Sequence, residues 1–415
     1  MLAPTPIALL LLALALPLSA VDYYIAGAAG SDTATGTSPD TAWASPLPLI
    51  DRALQAGDSL SFCRGQRIDC GVLISATGTA QQQVTIGAYG TGDAPVLTAT
   101  NPAASCVLGI DGHHTTISDL SFADLPYSGI WLAPSSHNIT VTSCSFSKLA
   151  YGVWSSGSAI RILSCHFHDM VMVPNKPGAD DDAGAVAVAA SGSDTEIAWC
   201  VMERCRAPSA DYGHDGGAVE VWAEPDRGVH RLNIHHNRIS GCNGVVEIGG
   251  TTGAAASDIT LERNLITDCG QMFLTLHIAG GDSAFGVELG ALLLRHNTIV
   301  QSSSGWYGIW SSRDGIPLPL RLEHNVIVLS GAKGLSNAAA PNLDGNLIHL
   351  TAKATLGLEA DANILADPLL STTFELQAGS PALNAAGSDP GLDLTRTPVP
   401  QGPAADIGAF ERPVD

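Results

Sequence analysis

The chain repeats itself, and the repeat limits the folds open to it. Seven segments align: NITVTSCSFSKL from residue 138, AIRILSCHFHDM from 159, DTEIAWCVMERC from 194, HRLNIHHNRISGC from 230, SDITLERNLITDC from 257, ALLLRHNTIVQSS from 291 and LRLEHNVIVLSG from 320. Cys144, Cys165, Cys200, Asn237, Asn264, Asn297 and Asn325 share one column, and Cys205, Cys242 and Cys269 share a second, five residues further on. Spacings of 21 to 37 residues describe a coil of nearly constant circumference carrying insertions of variable length. Like residues then lie on like residues along an axis, and a column of asparagines can hydrogen-bond from coil to coil. The cysteines of these columns read as small buried hydrophobes, since no Cys-x-x-Cys spacing suggests a metal.

A second recurring strand reads SGIWLAP from 128, YGVWSSG from 151, GAVAVAA from 184, GAVEVWA from 217, GVVEIGG from 244, MFLTLHI from 272 and YGIWSSR from 307. Its apolar column, Ile130, Val153, Val186, Val219, Val246, Leu274 and Ile309, is expected to face inward. Alternation then turns Trp131, Trp154, Ala187, Glu220, Glu247, Thr275 and Trp310 outward, with Trp222 and His277 two positions on.

These stacked strands and the asparagine ladder resemble the right-handed parallel β-helix of the pectate-lyase-like superfamily. The opening DYYIAGAAGSDTATGTSPDTAWASPLPLIDRALQAGDSLSFCRG is similar to the N-terminal cap of bacterial secreted β-helix proteins, and GSPALNAAGSDPGLDLTRTPVPQGPAADIGAFE to their C-terminal tail. The resemblance implies an all-β solenoid with a short capping helix near residues 47–56. It does not imply a reaction, because the superfamily holds lyases, hydrolases, epimerases and non-catalytic proteins.

Composition narrows the partners. A net charge of −21 with few lysines argues against nucleic acid. Residues 1–20 read as a secretory signal, with an apolar run ending in Leu18-Ser19-Ala20, and no later segment is apolar enough to span a bilayer. The expected organisation is a cap and first coils over 21–104, site-bearing coils over 105–350 and a last coil with tail over 351–415, in one continuous, monomeric, exported domain. Cys63 and Cys70, in FCRGQRIDC, are the expected disulfide.

Glu220 and Glu247 stand one coil apart on one face, roughly 4.8 Å between Cα atoms. Stacked like charges are unfavourable in a sheet, and they raise each other's apparent pKa. A solubility role would not need them stacked, whereas a glycoside hydrolase needs a carboxylate pair. Trp131, Trp154, Trp222 and Trp310 around the pair suit sugar rings, and exposed indoles need such a reason. Insertions at 171–183 and 206–214 bring Asp180, Asp181, Asp182, His214 and Asp215 to one edge, with Asp182 and Asp215 in equivalent places of adjacent coils. The segments 223–228, 279–290 and 312–315, with Arg313, form the other edge.

The reading is a secreted enzyme that hydrolyses a polysaccharide. Glu220, Glu247, Asp215 and Asp182 are its catalytic candidates; Trp131, Trp154, Trp222, Trp310, His277, His214 and Arg313 would contact substrate. Hydrolysis needs no cofactor. The alternative is a lyase on a uronic-acid glycan, which takes Ca²⁺ on Asp181, Asp182 and Asp215 to neutralise the uronate, since only Lys176, Arg227 and Arg313 supply positive charge nearby. A non-catalytic glycan-binding β-helix would keep the tryptophans without needing the glutamates.

Overall fold

The computed structural model describes residues 19–413, apart from 102, 174–175, 179–182, 271, 282–283, 303–306, 332, 339–341 and 352–361. Residues 1–18 of the expected leader therefore lie outside the described residues, as do Asp180, Asp181 and Asp182.

One coil shows how the sequence makes the fold. Gly217–Ala223 forms a strand of a first sheet, Val229–His235 of a second and Arg238–Ser240 of a third, and Gly244–Gly250 returns to the first. Val219 then pairs with Val246, Leu232 with Ile259 and Ile239 with Ile266, all in parallel register. Parallel strands need crossovers, and here the other two sheets are the crossover. The result is a parallel β-helix whose interior is a continuous apolar column. Stacked Phe122, Phe146 and Phe167, with centroids 4.7–5.0 Å apart, fill part of it.

The corner between the second and third sheets is turned by a residue in left-handed backbone conformation, including Trp199, His236, Arg263, His296 and His324, with φ between 51° and 59°. These five are not glycine, so their corners carry a conformational cost; at the next corner Gly345, with φ 61°, takes the same conformation without it. The residue after the corner offsets that cost. Asn237, Asn264, Asn297, Asn325 and Asn346 are fully buried, and each Oδ1 accepts a hydrogen bond from the backbone N–H of the residue at the same corner one coil earlier. Each Nδ2 donates both to the amide oxygen of the asparagine one coil later and to a main-chain carbonyl of the coil before. Asn363 continues the ladder beyond the column read from sequence. At the other end Cys200, Cys165 and Cys144 take over, with thiols contacting the preceding coil's carbonyls at 3.6–3.9 Å.

The structure corrects three expectations. Residues 47–56 do not form a helix: Leu47–Leu49 makes a single 3-10 turn, and Ala53–Gln55 is a strand paired with Ser75–Thr77. Pairing Leu54 with Ala76 buries Leu54 completely, which an isolated helix too short to stand alone could not match. Cys63 and Cys70 are both free thiols. Cys63 sits half-buried at an outward strand position beside Tyr89, whereas Cys70 is buried in the interior column. The inward column slips by two residues in one coil: Val188, not Val186, pairs with Val153 and Val219, so Ala189 rather than Ala187 lies level with Glu220.

The C-terminal segment returns to the corner. Asp389 receives Arg263 at 2.5 Å and His296 Nε2 at 2.9 Å; His296 is 2% exposed. Its hydrogen bond to His296, with Arg263 and Arg295 nearby, holds the Asp389 carboxyl well below the usual range. Arg396 lies over the Trp199 ring at 4.0 Å.

Replacing Asn264 by Ala leaves the Asn237 amide, the Asn237 N–H and the Ile234 carbonyl without their partner. The expected loss is about 4 kcal/mol in denaturant unfolding, since each buried orphan costs about 1–3 kcal/mol. Asn264→Cys, the residue type at Cys200, is expected to lose less. Equal stability of Asn264→Ala and wild type would show that the ladder does not hold the coils.

Candidate active site

The first sheet presents one outward row across its coils. Trp131 pairs with Trp154, Trp154 with Ala189, Ala189 with Glu220, Glu220 with Glu247, Glu247 with Thr275 and Thr275 with Trp310. Two carboxylates on adjacent rungs are therefore bracketed by indoles, as the sequence column predicts, once Ala189 replaces Ala187.

The two glutamates differ in surroundings. Glu220 keeps only part of its surface accessible, and burial, then Glu247, then Asp215, push its carboxyl up to about 8. Glu247 is more open, with its side chain 47% exposed, and its Oε1 accepts a 2.8 Å hydrogen bond from His277 Nε2. A carboxylate can only accept, so His277 carries its proton on Nε2 in this pair.

Aromatic side chains wall the pair at both ends. On one side Tyr151 packs against Trp154 at 4.8 Å, and Tyr127 lies near-parallel to Trp154 at 6.3 Å. Ala189 is small and buried beneath Trp154. Burial first, and Glu220 with Tyr127, Asp215 and Glu247 after it, hold the Tyr151 hydroxyl well above the usual phenol range. On the other side Phe285 stands 5.5 Å from Trp222 and 6.1 Å from His277, and Trp310 lies 5.5 Å from His277. Trp222 Nε1 donates to Glu224 Oε1.

The four tryptophans are half-buried rather than exposed, Trp154 packing on Tyr151, Trp222 on Phe285 and Trp310 on His277; Tyr127, at 41%, and Phe285, at 40%, are the open rings of the site. Tyr127, Tyr151 and Phe285 were not among the sequence candidates. Tyr151 recurs as the tyrosine of YGVW, but a register shift between Leu149 and Tyr151 brings it outward out of simple alternation. Phe285 comes from an insertion, where no strand period applies.

Asp215 is brought to the glutamates, although not on the sheet. Ala207–Ser209 and Gly213–Asp215 form a separate antiparallel hairpin, with Pro208 opposite His214. His214 is exposed on that hairpin. The expected equivalence of Asp215 with Asp182 falls on a residue outside those described; in the register observed Val186 pairs with Gly217. Arg313 is half-buried three residues beyond Trp310, its N–H bonded to Ser311 Oγ. Of the calcium candidates only Asp215 is described, and among the described residues no group of three or more His, Cys, Asp or Glu is set to hold a metal ion.

Known proteins place the fold. A family model described as a right handed beta helix region matches residues 105–348. No curated protein sequence matches the chain. Among solved structures it is similar to the pectate lyase Pel9A, at 14% identity over 95% of this chain and 98% of that one, with a TM-score of 0.61. It is also similar to the GH136 lacto-N-biosidase from Eubacterium ramulus, at 12% identity over 83% and 67% with a TM-score of 0.55. A rhamnogalacturonan lyase aligns at 11% identity over 83% and 87%, with a TM-score of 0.51. Such identities carry the architecture and not the chemistry. With the coil geometry above, the chain belongs to the right-handed β-helix family and has the pectate-lyase-like fold.

Proposed function

We propose that the chain is an exported glycoside hydrolase that cuts a polysaccharide on the first sheet. The observation that carries this reading is the unequal pair: two carboxylates on adjacent rungs, one buried enough to keep its proton at neutral pH and one open and hydrogen-bonded to His277. Environments that push two carboxyls apart assign an acid and a base. Glu220 gives its proton to the glycosidic oxygen as the bond to the anomeric carbon breaks. Glu247 attacks that carbon to form a glycosyl ester, and water, deprotonated by Glu220, then releases it. Adjacent rungs, roughly 4.8 Å apart, favour the short carboxyl separation of retaining enzymes. Tyr127, Trp154, Trp222 and Phe285 supply apolar ring faces to sugars on either side.

Calcium-assisted elimination on a uronic-acid glycan is the second reading. It draws support from the near full-length likeness to a pectate lyase and from Asp215 beside the glutamates. In it a cation on carboxylates, Asp215 among them, would neutralise the uronate carboxyl.

A polysaccharide panel digested by wild type and Glu220→Gln separates the two. New reducing ends without the ultraviolet absorbance of unsaturated uronates, lost at least 100-fold in the variant, are the expected result. Absorbance that rises with reducing ends and vanishes with chelator would move the assignment to the lyase. Glycan retention with neither signal would leave a binding protein. Because Glu220 acts protonated, wild-type activity should fall as pH rises through about 8.

The same carboxyl has a stability signature. Its folded pKa lies above the ordinary glutamate value, so between roughly pH 4.5 and 8 the folded state holds a proton that the unfolded state has released. Stability therefore falls with rising pH across that window. Glu220→Gln removes the dependence, and at pH 8 the variant should be more stable than wild type by about 2 kcal/mol, allowing for the solvent that still reaches the group. Parallel pH–stability curves for the two proteins would show that Glu220 titrates like a free carboxyl.

A further inference from the structure

The carboxylate pair has a recess beside it that strand packing does not account for. Three residues before each glutamate, on the same two rungs, stand Gly217 and Gly244. Their row runs Tyr151, Val186, Gly217, Gly244 and Met272 from rung to rung, and within it side chains are missing only on the rungs that carry the glutamates. Glycine weakens a strand, and its usual reasons are left-handed backbone or crowding by other atoms. Neither applies here. Neither glycine has a positive φ. Among the described residues, and apart from chain neighbours, a methyl group on Gly217 would come no closer than 3.4 Å to any atom, the nearest being main chain of Gly244. One on Gly244 would come no closer than 3.7 Å, to the Met272 carbonyl. Both glycines are half-exposed. A strand glycine with room for a side chain marks a place where something else approaches the backbone.

Tyr151 shows what a side chain on this row meets. It clusters with Val186 and Ala189 of the next rung and packs on Trp154, so it leans along the axis toward the glutamates. The charge it feels most is Glu220. Tyr151 is 7% exposed, yet among the described residues its hydroxyl has no hydrogen-bond partner, and the oxygen is not sealed from the surface. A buried ring with an unmet, reachable hydroxyl calls for a partner from outside, and the hydroxyl can both donate and accept. Trp154 before the pair and Trp310 after it continue the row of the glutamates along the axis, whereas the glycines lie to one side of that row. A glycan on these faces has its main chain over Glu220 and Glu247, so only a side group reaches the glycines. Two missing side chains on rungs roughly 4.8 Å apart leave about the width of one sugar ring. Glu247 and Asp215, on either side, disfavour an anionic group there. We infer that the recess over Gly217 and Gly244 is a specificity subsite for a neutral, hydroxyl-bearing branch on the main-chain sugar at the pair, with a branch hydroxyl bonded to Tyr151 Oη.

The inference rests on the reading of the first sheet as the glycan-cutting face. Its test uses paired glycans: arabinoxylan against linear xylan, xyloglucan against mixed-linkage glucan, and galactomannan against glucomannan. Wild type, Gly244→Val and Tyr151→Phe are compared by kcat/KM on both members of each pair. At least one branched glycan is expected to be preferred. Gly244→Val, which fills the recess, should lower that preference roughly tenfold or more, and Tyr151→Phe by a smaller factor as one hydrogen bond is lost. Valine favours a strand, so Gly244→Val should unfold at a temperature no lower than wild type. A lower midpoint would mean that the glycine serves the fold, and would overturn the inference. A preference unchanged in either variant, with water then filling the recess, or a wild-type preference for the unbranched partners would overturn it as well. If wild type cuts none of these glycans, the hydrolase reading fails, and full-length Glu220→Gln is run in native gels cast with the same pairs. Stronger retardation by a branched glycan, lost when Gly244→Val is added, would keep the subsite; equal retardation within every pair, or none, would end it too.

Discussion

Hydrogen bonds along the axis set the geometry on which the rest of the molecule depends. At each corner between the second and third sheets, a left-handed residue such as His236 or Arg263 bends the chain, and the buried asparagine after it ties that bend to the coils above and below. An asparagine amide can donate and accept at once, which lets each rung bond in both directions. A cysteine at the same place bonds more weakly, and in the coils of Cys144, Cys165 and Cys200 stacked phenylalanines fill the interior. Register fixed at the corner is transmitted along the parallel strands to the first sheet, where it sets Glu220 beside Glu247.

That placement works against the sheet. Like charges on neighbouring rungs repel, and burial of Glu220 adds to the cost. The surroundings relieve it unevenly: Glu247 stays open and bonds His277, while Glu220, between Tyr151 and its neighbours, keeps a proton. Rungs that favoured stability alone would carry threonine, as Thr275 does one rung on. The departure from a stable sheet is concentrated at two residues, as is usual where a fold stores its chemistry.

How far the site could be read beforehand depended on which elements obey a period. The asparagine and cysteine columns, the outward glutamates and the inward apolar residues of every coil but one follow strand alternation and coil repeat, and appear where the sequence places them. The coil at Val186 departs because an insertion precedes it and GAVAVAA offers three equivalent apolar registers; only pairing with Val153 and Val219 selects Val188. The family resemblance implies a capping helix over Leu54, whereas burial against Ala76 makes it strand. Cys63 and Cys70 are close in sequence yet belong to different faces of the coil.

Sequence by itself determined the solenoid, its asparagine-lined corner and the stacking of Glu220 on Glu247, because each of these repeats with the coil and periodicity is a property of the chain. Only the tertiary structure decided that Glu220 is the protonated partner, that His277 and Asp215 reach the pair, and that Tyr127, Tyr151 and Phe285 enclose it. Burial, and contacts made from insertions or between coils, depend on how the rungs pack, and no local pattern records that.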